Sequence, residues 1–90
     1  MGNKNELIIP EPAKTDPSST EIIRVWIANG RQHFTLRVGL WEDPAAWGLL
    51  LADLARNIAQ SYEEDSALDK RASLERIRLA FGTELDNPTD

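Results

Sequence analysis

Asp43-Pro44, followed by a long apolar repeat, is the feature that most constrains what this chain can fold into. Asp is a good helix N-cap, because its carboxylate can accept from the unpaired N–H groups of the first turn. Proline suits the first helical position, where the missing N–H costs nothing. Glu42 and Asp43 also place negative charge at the positive end of the helix dipole. Downstream, Trp47, Leu51, Leu54, Ile58 and Tyr62 recur at the spacing of one helix face. The sequence therefore predicts a helix from Trp41-Glu42-Asp43-Pro44 to about Tyr62. A second stripe, Gly48, Ala52, Ala55 and Ala59, is small throughout and suits close approach by another helix, from this chain or another copy. Asp53, Arg56, Asn57 and Gln60 form the wet edge, where Asp53 is expected to pair with Arg56 or Asn57.

Upstream of this helix, Glu21–Ala28 and Arg31–Val38 alternate as strands and are joined by Asn29-Gly30. Asn-Gly between alternating runs signals a two-residue hairpin, since a type I′ turn needs φ > 0 at both central positions. Such a loop fixes the register. Ala28 faces Arg31, Trp26 faces His33, Val25 faces Phe34 and Ile23 faces Leu36. One face then carries Ile23, Val25, Ile27, Phe34, Leu36 and Val38, and is assigned to the core under Trp47, Leu51 and Leu54. The other carries Ile22, Arg24, Trp26, His33, Thr35 and Arg37.

Glu63-Glu64-Asp65 reads as a break, with Ser66 capping a second helix and Asp69 completing a weak capping box. Leu74, Ile77, Phe81 and Leu85 form its apolar stripe, and Asn87-Pro88 stops it. The expected fold is α+β and two-layer: an antiparallel β-hairpin packed on two α-helices, in the order β-β-α-α. Leu7-Ile8-Ile9 could add an edge strand ended by Pro10, and Asp16-Pro17 a single helical turn. Residues 1–15 are expected to be a flexible segment, 16–86 one domain, and 87–90 a loose tail.

Ninety residues suffice for one core with modest reserve. Cysteine is absent, which removes disulfides, thiolate metal sites and a Cys nucleophile. No apolar run approaches the roughly 18 residues of a spanning segment, and the N-terminus lacks a secretory h-region. The expected location is the cytoplasm. The net charge of −5 disfavours nucleic acid as a partner. Acid and base balance from Met1 to Glu42, so the whole excess of acid lies from Asp43 onward.

The strand Glu21-Ile22-Ile23-Arg24-Val25-Trp26, the helix start Trp41-Glu42-Asp43-Pro44-Ala45-Ala46-Trp47-Gly48 and Leu51-Ala52-Asp53-Leu54-Ala55-Arg56 resemble a family of small bacterial proteins catalogued only as a domain of unknown function. The resemblance covers the chain from about Leu7 to Leu85. It implies a compact bacterial domain and brings no activity, ligand or catalytic residue.

No catalytic constellation is visible, so the chain reads as a non-enzyme without metal or cofactor. His33 is the only histidine and has no ligand partner at metal spacing. It reads as a cross-strand neighbour of Trp26. The serines have no local base, and the glycines form no phosphate loop. The candidate interaction surface is the second hairpin face, with Arg24, Trp26, Arg31, His33, Thr35 and Arg37. Guanidinium groups around an aromatic ring can meet a protein, a small anion or stacked bases. The plain alternative is a solvated sheet face. The leading function is protein–protein interaction, expected as a homodimer that buries Trp26 with Arg24 or Arg37. The alternative is an anion- or nucleic-acid-binding module on the same face.

Overall fold

A computed structural model describes residues 5–89. Its elements are α1 (Glu11–Thr15), β1 (Ile23–Ala28), β2 (Arg31–Leu36), α2 (Ala45–Ser66) and α3 (Lys70–Asp86). The mixed α+β class and the β-β-α-α order are as expected, with α1 added in front. The chain divides into two compact units, residues 1–42 and 43–90.

In the first unit, β1 and β2 pair antiparallel as a two-stranded sheet. The register follows from the turn. Asn29 and Gly30 both have positive φ, 55° and 72°, as a type I′ turn requires. Trp26 then pairs with His33, Val25 with Phe34 and Ile23 with Leu36. The Arg37 N–H donates to the Ile22 carbonyl at 3.0 Å, carrying the ladder one step past the strands.

Before the hairpin, Pro10 precedes α1, a single turn and a little more, and Pro12 lies in its first turn. The segment 1–15 was expected to be flexible, with Leu7–Ile9 as a short edge strand and no helix before Asp16. Pro12 is compatible with a helix here because it sits in the first turn, where its missing N–H has no intrahelical partner to lose. The Asp16 carboxylate accepts from the Ser18 N–H at 2.9 Å, and its carbonyl from the Ser19 N–H at 3.0 Å. That is a turn, but not the helical turn expected after Asp16-Pro17. Leu7–Ile9 is not paired as a strand. The parts of these expectations that fall on residues 1–4 and 90 lie outside the described residues.

In the second unit, the Asp43 carboxylate accepts from the Ala45 N–H at 2.9 Å and Pro44 already has helical dihedrals, φ −55° and ψ −20°. Asp43 thus serves the start of the helix, but α2 begins at Ala45, so Pro44 rather than Asp43 takes the cap position. The helix does not stop at Tyr62. It continues through Glu63-Glu64-Asp65 to Ser66 and ends on Ala67, whose φ of 58° is left-handed. Charge alone suggested a loop, but Glu is a good helix former on a solvated face. The cap of α3 is Asp69 rather than Ser66, its carboxylate accepting from the Ala72 N–H at 2.9 Å.

A three-residue connection folds α3 back along α2. Ala59, from the small-residue stripe, is fully buried, so the helix that approaches this stripe is α3 of the same chain. Among the described residues no other hydrophobic side chain is buried to that degree. Helix α3 ends at Asp86 before Asn87-Pro88, as expected, and Gly82 lies within it. Beyond it, the Thr89 backbone N–H and hydroxyl both donate to the Glu84 carboxylate.

Candidate interaction surfaces

Alternation in β1 and β2 separates two faces of the hairpin. On the polar face, Arg24 and Arg37 converge on Glu21. The Arg24 guanidinium donates to the Glu21 carboxylate at 3.1 and 3.3 Å. It also pairs with Glu6 at 3.3 Å, which ties residues 5–9 to β1 along a shallow cleft. Arg37 Nε donates to the Glu21 carbonyl at 3.0 Å. The His33 Nε2–H donates to the Ala28 carbonyl at 3.0 Å, so that nitrogen carries a proton and Nδ1 does not donate there. Trp26 is partly buried, while Arg31, Thr35 and Arg37 are exposed. The structure therefore brings Arg24, Trp26, His33, Thr35 and Arg37 to one face, with Arg31 beside the turn. Two of its arginines are already engaged.

The signal for that engagement was present in sequence. Glu21 stands three residues before Arg24, close enough for a local ion pair. The contribution of Glu6 was not legible, because a contact 18 residues apart depends on how the chain returns.

The apolar face was assigned to the core, and within the first unit taken by itself nothing encloses it. Val25, Phe34 and Leu36 are 51%, 59% and 49% exposed, and Ile27 is 77% exposed. Alternation says which side chains share a face. It does not say that a second layer covers them, and two strands alone enclose nothing.

On α2, the stripe Leu51, Leu54, Ile58 and Tyr62 is 41–47% exposed. Beside it, α2 and α3 leave a groove of about 310 Å³. Gly48, Ala52 and Ala55 form its floor, since their small side chains leave space between the helices. Leu74, Ile77 and Phe81 supply the wall from α3, and Arg56 and Arg78 the rim. Arg56 pairs with Asp53, as the sequence suggested, and Arg78 reaches Glu75 at 3.9 Å. The stripe of small residues was read from sequence, but its meeting with Phe81 was not, because that depends on the direction in which α3 returns.

Among the described residues no group of three or more His, Cys, Asp or Glu side chains is placed to hold a metal ion. Among the described residues no helix is long and apolar enough to cross a membrane. Glu84 titrates below its ordinary value, chiefly because the Thr89 N–H stabilises its carboxylate, with the Thr89 hydroxyl adding to this and slight desolvation opposing it.

No curated protein matches the chain. A solved structure from the photosynthetic bacterium Rhodopseudomonas palustrus CGA009, provisionally described as a pyruvate dehydrogenase, is similar at 33% identity and a TM-score of 0.77. The likeness spans 100% of this chain and 92% of that one. The family described as "Domain of unknown function (DUF5076)" matches residues 6–89, and the chain belongs to it.

Proposed function

We propose that this chain is a non-catalytic interaction protein of the cytoplasm that self-associates. The observation that supports this is the distribution of apolar surface. Among the described residues Ala59 alone is fully buried, whereas eighteen large hydrophobic side chains are exposed. Single exposed apolar residues are ordinary, but contiguous apolar faces mark binding surfaces. Each unit taken by itself carries such a face, the hairpin face in the first and the α2 stripe in the second. The anion-binding alternative is the weaker reading, because Arg24 and Arg37 already give donors to Glu6 and Glu21.

Light scattering on the purified chain tests the proposal. The expected mass is that of two chains or a multiple, falling on dilution. A mass of one chain at all concentrations overturns it. In that case phosphate or a short oligonucleotide should be tried for a salt-sensitive rise in melting temperature.

A further inference from the structure

We propose that Asn29 is a site of spontaneous modification, where the side-chain amide closes on the Gly30 nitrogen and deamidates, and that the folded hairpin turn holds this reaction back. The reaction is intramolecular up to the ring, and water is its only co-reactant. The Gly30 backbone nitrogen gives its proton to solvent and attacks the Asn29 side-chain carbonyl carbon. The bond from that carbon to the amide nitrogen breaks, and the nitrogen leaves as ammonia after taking a proton from water. A five-membered succinimide remains. Water then opens the ring at either carbonyl. Opening at the side-chain carbonyl gives aspartate with the normal peptide bond. Opening at the main-chain carbonyl gives isoaspartate, with the main chain routed through the former side chain. No oxidation or reduction takes place.

The sequence singles out this position. Glycine leaves the attacking nitrogen uncrowded, because it has no Cβ. The other asparagines precede Lys4, Glu6, Ile58 and Pro88. The first three of these residues are bulkier, and Pro88 has no N–H to give up.

The fold supplies the gate. Asn29 and Gly30 have φ of 55° and 72°. In a type I′ turn the first central residue also has ψ of about 30°. That ψ puts the Gly30 nitrogen nearly opposite the Asn29 Cβ across the Cα–C bond. The succinimide needs the two on the same side, so the ring closes only after the turn opens. The turn is held from both strands. Ala28 pairs with Arg31, and the His33 Nε2–H donates to the Ala28 carbonyl at 3.0 Å. His33 is therefore a positioning residue for the gate.

The two products act differently on the hairpin. Asp-Gly also suits a type I′ turn, so the aspartate product keeps the register. Isoaspartate puts an extra carbon into a two-residue loop whose length sets that register. It dissolves the Trp26–His33 pairing, and with it the alignment of Arg24, Trp26, His33, Thr35 and Arg37 on one face.

The full-length chain is aged at mildly alkaline pH, once folded and once in guanidinium chloride. Peptide mapping by mass spectrometry reads conversion at Asn29. Conversion should be slower in the folded chain by about tenfold or more, since it then waits on local opening. His33→Phe should quicken it several-fold in the folded chain and leave the rate in guanidinium chloride unchanged. The isoaspartate fraction, separated by ion exchange, should lose amide protection across Trp26–His33. An Asn29→Gly chain aged in the same way should keep it. No conversion at Asn29 in guanidinium chloride overturns the site. Equal rates in the folded and unfolded chains overturn the gate. An unchanged folded rate in the His33→Phe chain overturns the role given to His33, and an isoaspartate fraction with intact protection overturns the structural consequence.

Discussion

Glu63 Oε2 accepts the backbone N–H of Lys70 at 3.0 Å, so the last turns of α2 help cap the first turn of α3. Asp69 takes the Ala72 N–H of the same turn. Two carboxylates thus serve N–H groups that no intrahelical carbonyl can reach. Asp69→Ala should cost about 0.5–2 kcal/mol. Glu63→Gln should cost less, because an amide oxygen can still accept. The double variant should depart from additivity, since both act on one helix end. Urea melts measure all three.

The start of α2 gives a parallel case. Asp43→Ala should cost about 0.5–2 kcal/mol, while Asp43→Ser should be near neutral, since a hydroxyl also accepts the Ala45 N–H. Equal, negligible losses in urea melts would show that the 2.9 Å contact contributes nothing.

In the hairpin, Gly30 has φ of 72° and open space around it, so the cost of a side chain there is conformational rather than steric crowding. Gly30→Ala should destabilise by roughly 1–2 kcal/mol, the cost of placing an L-residue in the left-handed region. Asn29→Gly should be tolerated. Amide exchange across the Trp26–His33 pair would report the loss locally.

Ala59 tests the packing of α2 on α3. It has no exposed surface, so Ala59→Leu forces the helices apart and should cost about 1–3 kcal/mol. Ala52→Leu points into the open groove beside it and should cost less, or even stabilise. Thermal melts of the two variants separate a filled contact from an unfilled one.

Glu84 supplies a pH dependence. Its folded carboxyl titrates below the ordinary value because Thr89 donates to it. Its contribution to stability is therefore present above the unfolded-state value, and is lost as pH falls through the folded value. Thr89→Val removes the hydroxyl donor and keeps the backbone one, so the Glu84 titration followed by NMR should move part of the way back up. An unmoved titration would show that the backbone N–H acts alone.

The sequence alone determined what local chemistry can decide. Asn29-Gly30 set the hairpin register, because only a few turns fit two residues and both must take positive φ. Asp43-Pro44 set the start of α2, and Asn87-Pro88 the end of α3. The polar hairpin face was legible down to which side chains share it, because a strand alternates with period two. The end of α2 was misread, since Glu63-Glu64-Asp65 suits either a loop or a wet helical turn. The choice depended on Glu63 reaching Lys70 and on Ala67 adopting a left-handed backbone. Only the tertiary structure decided that Glu6 joins Glu21 in holding Arg24 and that Phe81 faces Gly48 across a groove. Periodicity reports which residues lie on one side of an element. Whether anything covers that side depends on non-local contacts, which no short window of sequence contains.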